Sequence, residues 1–84
     1  MFPEAAAGRD LDVRYLRKDG RSVAVLRTVD YGNSCRVEAE VFPPGGGFPQ
    51  RPGPYTFADA AHALAFINDA VEALMYLGCD VGTQ

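Results

Sequence analysis

The sequence predicts an α+β fold in which an antiparallel meander of three or at most four strands carries one C-terminal helix on one face. Two hairpin signals, Asp19-Gly20 and Gly32-Asn33, divide the first half of the chain into three stretches. Apolar and polar residues alternate in those stretches, as they do in strands with one buried face. In the last third of the chain the apolar residues recur every three or four positions, which is typical of a helix.

The two turns predict a common core face for the meander. A two-residue turn at Asp19-Gly20 pairs Leu16 with Val23, and a two-residue turn at Gly32-Asn33 pairs Thr28 with Val37 in the same way. Both registers place the same side of the second strand against the helix. The predicted core face consists of Leu11, Val13, Tyr15, Ala24, Leu26, Val37, Ala39 and Val41. The outer face then carries an apolar row of Leu16, Val23 and Phe42.

The predicted helix has two apolar rows rather than one. Thr56 is the expected N-cap, and Gly78 suits the left-handed position after the last turn. Residues 54–56, at the start of the predicted helix, add the fourth strand if they pair with the meander. The first row consists of Phe57, Ala60, Leu64, Ile67, Val71 and Leu74. The second row consists of Ala63, Phe66, Ala70, Ala73 and Leu77, and it widens the apolar arc beyond what one sheet covers.

Length and composition predict a single small domain. The chain has 84 residues and a net charge of −3. Two cysteines do not make a disulfide framework, and we expect a cytoplasmic protein with reduced thiols, no signal peptide and no membrane span. The abundance of Ala, Gly, Arg and Pro with little Lys indicates a GC-rich bacterial genome. The expected divisions are a loose leader at 1–9, the meander at 10–42, a Pro/Gly-rich loop at 43–54 and the helix at 56–78.

No motif for catalysis, nucleotide binding or metal binding is present in the sequence. His62 is the one histidine, and a lone histidine on a polar helix stripe is most often a surface residue. Cys35 and Cys79 lack two further ligands for a structural zinc site. Asp69 and Glu72 lie side by side on one helix face, where they suit solubility. We therefore predict a protein that is not an enzyme and holds no metal or cofactor.

The surplus of apolar surface predicts a small protein-interaction module. Symmetric self-pairing is the commonest way to bury such a surface, so we expect a homodimer. The predicted helix interface consists of Ala63, Phe66, Ala70, Ala73 and Leu77, and the predicted sheet interface consists of Leu16, Val23 and Phe42. A different protein partner fits the same surface, and the loop around Phe48 is the expected contact for it.

The alternative prediction is a module that binds single-stranded nucleic acid. Several strands followed by one helix resembles, in element order alone, the whirly and Pur-alpha group of single-strand binders. That function would use the outer sheet face, with cations for phosphates and an aromatic ring for base stacking. The candidate residues are Arg14, Arg27, Arg36 and Tyr31, with Phe42 as a further ring. Asp12, Glu38 and Glu40 are predicted on the same face, and they would cancel its positive charge.

Overall fold

A computed structural model describes residues 8–83, which form one antiparallel sheet of five strands with one helix on one face. The elements are β1 (Arg9–Lys18), β2 (Arg21–Asp30), β3 (Cys35–Val41), β4 (Tyr55–Phe57), α1 (Ala60–Tyr76) and β5 (Asp80–Thr83). Their order across the sheet is β4-β3-β2-β1-β5. The α+β class and the helix on one face are confirmed, whereas three or four strands understate the count. Most of the predicted leader, residues 1–7, lies outside the described residues, and β1 already begins at Arg9.

The fifth strand was not predicted, because its four residues include Asp and Gly, which are depleted in strands. It pairs antiparallel with β1 along Arg14 to Arg17. The helix follows β4 at one edge of the sheet and leads into β5 at the other, and it packs against β2, β3, β4 and β5.

The helix begins at Ala60, four residues later than predicted. Thr56 is not the N-cap, because Thr56 and Phe57 belong to β4 and pair with β3. Asp59 is the N-cap instead, and its Oδ1 accepts a hydrogen bond from the backbone N–H of His62 at 2.9 Å. The same carboxylate oxygen lies 2.8 Å from Nδ1 of His62.

The Asp59 cap makes the stability of the folded protein vary with pH in the acid range. The hydrogen bonds from His62, the backbone one foremost, hold the pKa of Asp59 below its ordinary value of 3.8. A lowered pKa in the folded state adds stability above pH 3.8, and that stability is lost as the pH falls through the folded pKa. We expect Asp59→Asn, which keeps a cap acceptor, to match the parent thermal midpoint at pH 7 and to lose less of it between about pH 5 and pH 2. Equal losses in both proteins would show that Asp59 does not contribute.

The predicted C-terminus of the helix is confirmed as a Schellman motif. The N–H of Cys79 donates to the carbonyl of Leu74 at 3.1 Å, and the N–H of Gly78 donates to Met75 at 3.0 Å. Gly78 has a φ of +95°, in the left-handed region that glycine adopts without steric cost. Cys79 is buried after this turn, so the motif directs the chain back onto the sheet as β5.

The predicted register is correct for β2 with β3 and wrong for most of β1 with β2. Thr28 pairs with Val37 as expected. Next to the first turn β1 also follows the prediction, but Leu16 then pairs with Ala24 and leaves Val23 as the extra residue of a β-bulge. A second shift, which leaves Leu11 as its extra residue, restores the original register near the start of β1.

Between the two bulges the faces of β1 are inverted, because a slip of one residue sends each side chain to the other side of the sheet. Val13 and Tyr15 were predicted in the core, but they lie opposite Arg27 and Val25 on the outer face. Leu16 was predicted on the outer face, but it is 0 % exposed on the helix side. Leu11, also predicted in the core, is exposed.

The hydrophobic core therefore centres on the middle of the sheet and the middle of the helix. On the sheet side it includes the predicted core residues of β2 and β3, with Ala39 and Val41 partly buried at its margin. The cluster of buried residues consists of Leu16, Ala24, Leu26, Cys35, Val37, Ala63, Ile67, Val71 and Cys79. Thr28 lies on the same side and is fully buried as well.

Candidate interaction surface around strand β5

Exposed apolar side chains are concentrated around β5 and the strand and helix end that adjoin it. The described residues include eight large apolar side chains that are exposed, and six of them lie on β1, on β5 or at the end of α1. The six, which we name the β5 surface, are Leu11, Tyr15, Met75, Tyr76, Leu77 and Val81; Leu11 lies on β1 just beyond the part that pairs with β5. Tyr76 is 84 % exposed and Leu77 is 66 % exposed, so little of either side chain is covered within one chain.

The fold brings these residues together in two ways. On β1, the bulge at Val23 turns Tyr15 to the outer face, where it lies opposite Gly82 of β5. At the end of α1, the Schellman turn places Val81 opposite Leu16, on the helix side of the sheet. Apolar side chains therefore flank β5 on both faces of the sheet.

The predicted helix interface is divided by the structure. Ala63 is fully buried in the core, so it cannot take part in an interface and that prediction is wrong. Phe66 and Ala70 are partly buried against the core, and the ring of Phe66 lies 5.1 Å from Tyr55 and 5.3 Å from Phe57, between ring centroids. Strand β4 thus covers the first half of the second apolar row.

The last two residues of that row differ from the others, because β4 has only three residues and does not reach them. Ala73 and Leu77 are exposed at the end of the helix. Leu77 therefore belongs both to the predicted interface and to the β5 surface. Ala73 is a small side chain one turn before it and adds little apolar area of its own.

The predicted sheet interface does not exist as one surface. Leu16 is in the core, and Val23, the bulge residue, is partly buried and packs against the core. Phe42 is partly buried beside Val23, and its N–H donates to the carbonyl of Val23 at 2.8 Å. The three residues were predicted in one row only because the bulge between Leu16 and Ala24 was not foreseen.

The Pro/Gly-rich loop returns along the edge of β3 and partly covers the outer face. Gln50 exchanges two backbone hydrogen bonds with Val41, at 2.7 and 2.8 Å. Arg51 then binds the carboxylate of Glu40 at 2.9 Å. Phe48 projects from this loop and is 88 % exposed. A cleft of about 450 Å³ lies under the loop, lined by Val25, Arg27, Glu38, Ala39, Glu40, Arg51, Pro52 and Pro54.

The arginines proposed for nucleic-acid binding do not form a positive groove. Arg14 is not on the outer face as predicted, because it lies in the inverted part of β1 and donates to Oδ1 of Asn68 on the helix at 3.2 Å. Arg27 donates to Glu38 at 2.7 Å, which raises the pKa of the guanidinium. The guanidinium of Arg36 lies 4.8 Å from the centre of the Tyr31 ring, so that ring is occupied by a cation–π contact.

The side chains that could in principle react or bind a metal, His62 and Cys35, contact neighbouring residues of the fold. His62 is exposed and its ring faces the N-cap carboxylate. Cys35 is buried, and burial, together with the carboxylate of Asp30 at 3.8 Å, raises the pKa of its thiol. Within residues 8–83 no three His, Cys, Asp or Glu side chains are grouped as metal ligands. Among the same residues, no helix combines the length and the apolar character that a membrane crossing needs.

Sequence reasoning missed Val81, Met75 and Tyr76. The signal for Val81 was the segment Asp80–Thr83 itself, which alternates like a short strand directly after a helix stop. A strand there needs a neighbour with an open edge, and β1 is the first strand of the meander. Comparison of the chain with protein-family models, with curated proteins and with solved structures found no match.

Proposed function

We propose that this protein is a small non-enzymatic interaction module that associates with a second copy of itself through the β5 surface. The observation that carries the proposal is the location of six of the eight exposed large apolar side chains around one strand. Soluble monomers rarely leave contiguous apolar patches uncovered, and such patches commonly mark contacts with other proteins. The remaining two, Phe48 on the loop and Tyr55 on β4, lie toward the opposite edge of the sheet.

A second copy suits this surface because charges of both signs border it. Arg17 of β1 lies opposite Asp80 of β5, and the side chain of Lys18 lies beside Gly78. Glu72 is exposed on the last turns of the helix. A surface that pairs with itself about a two-fold axis must be self-complementary, and mixed charge around an apolar centre meets that condition without like-charge repulsion.

Sedimentation equilibrium from about 10 µM to about 1 mM protein tests the proposal, because a small interface dissociates in this range. We expect the parent protein to be a dimer at the upper end, and Leu77→Lys and Met75→Lys to be monomeric there. Phe48→Lys is the control, since Phe48 is also exposed but lies away from the β5 surface. Circular dichroism of each variant should show the parent fold.

Two results would contradict this function. A parent protein that stays monomeric at about 1 mM has no self-association on this scale. A dimer that Phe48→Lys dissociates, while Leu77→Lys does not, would move the interface to the loop and favour the adaptor hypothesis. The nucleic-acid hypothesis has no such supporting observation, because Arg27 and Arg51 are both paired with carboxylates on the outer face.

A further inference from the structure

We infer that the two copies join edge to edge, with β5 of one copy antiparallel to β5 of the other, so that two five-stranded sheets form one sheet of ten strands. This inference rests on the proposed function and names the geometry of the association. It follows from three features of the β5 edge. Its outward backbone groups are open to another strand, it has fewer of the residues that prevent strand pairing than the other open edges have, and its charges allow a favourable register.

The first feature is the backbone of β5. One side of the strand pairs with β1, with no register shift, and the other side has no strand beside it within the described residues. In an antiparallel strand, alternate residues direct their N–H and C=O groups to opposite sides. Half of these groups in β5 therefore point outward, in the geometry that another strand requires.

The second feature is the contrast between β5 and the other open edges. The β4 edge has three residues and follows Pro52 and Pro54, which cannot donate to a ladder. The open half of β1, residues 9–13, carries three charged residues out of five, and its bulge at Leu11 disrupts further pairing. Charges, prolines and bulges are the devices by which proteins keep strand edges from pairing. The described part of β5 is also short, with four residues, but it has one charged residue, Asp80, and no proline, lysine or bulge.

The third feature is the register. In antiparallel strands related by a two-fold axis, paired residues lie on the same face, so one residue pairs with its own copy and the axis passes midway between the two. An axis at Val81 places the two Val81 side chains together on the helix side and each Asp80 opposite Gly82 of the other copy. Only an axis at Asp80 would bring two carboxylates together. The apolar contact and the charge therefore favour the same register, centred on Val81.

Side chains on the helix side extend this contact. Met75 lies seven residues after Asn68, so the two share one stripe of the helix, and Asn68 accepts a hydrogen bond from Arg14 of β1. That stripe therefore faces the β1–β5 side of the sheet. In the ten-stranded sheet both helices lie on the same face, and the last turn of each helix, with Met75, leads directly into the joined strand. The contact is short, so we expect a weak dimer in rapid exchange.

The test is an isotope-filtered NOE experiment on a mixture of ¹³C,¹⁵N-labelled and unlabelled protein at about 1 mM, where the dimer is populated. We expect intermolecular NOEs between β5 residues of the two copies, with the strongest at Val81. A dimer whose intermolecular NOEs involve only the outer face around Tyr15 and Val25 overturns the edge pairing and leaves self-association intact. A sample with no intermolecular NOEs and a monomeric mass overturns both.

A pair of variants gives an independent measurement. In the proposed register Val81→Lys places two ammonium groups directly opposite each other, and we expect the dimer dissociation constant to rise at least about tenfold. Phe48→Lys is the control, because Phe48 is exposed but lies on the loop, outside the β5 surface. We expect it to raise the constant by less than about threefold. The reverse order would place the contact at the loop and overturn the edge pairing.

Discussion

Leu16→Ala lowers the free energy of unfolding by about 2–5 kcal/mol, the range for removing a fully buried leucine side chain from a packed core. Leu16 is 0 % exposed and lies between Ala24 of β2 and Val81 of β5, under the helix. The alanine leaves a cavity that the flanking strands cannot close, because their hydrogen bonds hold them in place. Urea denaturation monitored by circular dichroism measures this loss, provided that the slope with urea stays constant.

The control for this experiment is Tyr15→Ala, because the two adjacent residues exchange places between the expected and the observed register. Tyr15 lies on the outer face and is more than one third exposed, so we expect its truncation to cost about 1 kcal/mol. A protein without the bulge at Val23 would give the opposite order, with Tyr15→Ala the more destabilising change. The two measurements together therefore locate the bulge without a further structure.

Thr28→Val raises the free energy of unfolding by about 1–2 kcal/mol, although most substitutions in a core are destabilising. Thr28 is fully buried, and its hydroxyl makes no hydrogen bond with any of the described residues. A buried hydroxyl without a partner retains the cost of its desolvation, and valine has the same branched shape without that group. The neighbours of Thr28 in the sheet are Asp12 and Val37, so one side of the site is already apolar.

Thr28→Ser is the matched control, since it keeps the hydroxyl and removes one methyl group. We expect it to lower the free energy of unfolding by about 1 kcal/mol through lost apolar burial. If Thr28→Val is instead destabilising by more than about 1 kcal/mol, the hydroxyl has a stabilising partner in solution. The same denaturation curves decide between these results.

Where the sequence contained a local signal with one solution, the predicted structure is correct. Asp19 and Gly20 both have positive φ, as the tight hairpin requires, and the register from Thr28 to Val37 follows from the second turn. The helix stop at Gly78 is likewise a local motif. These features depend on a few adjacent residues and need no knowledge of distant contacts.

The errors occur where the sequence allows two solutions. In β1 either face of the strand offers apolar residues, Leu16 on one and Val13 with Tyr15 on the other, so alternation alone cannot detect a bulge. At the start of the helix, Thr56 and Asp59 are both good N-caps, and the pairing of β4 with β3 decides between them. Both choices depend on tertiary packing rather than on propensity.

The candidate site was predicted only at Leu77, because the rest of it depends on β5. Without that strand, Val81 has no place in the fold. Ala63 was predicted at an interface because the rotation of the helix relative to the sheet is not encoded in its two apolar rows. Burial of Ala63, Ile67 and Val71 shows that the core stripe lies between those rows.

The pairing of β5 with β1 has a consequence for how the chain acquires its structure during synthesis. Strand β1 is made first, yet one of its neighbours consists of residues 80–83, which leave the ribosome after the whole helix. Contacts between such distant parts of a chain raise the contact order and slow folding. Until the helix is complete, Leu16 and the edge of β1 are uncovered, and a nascent chain is then most open to chaperones and to premature association with other chains.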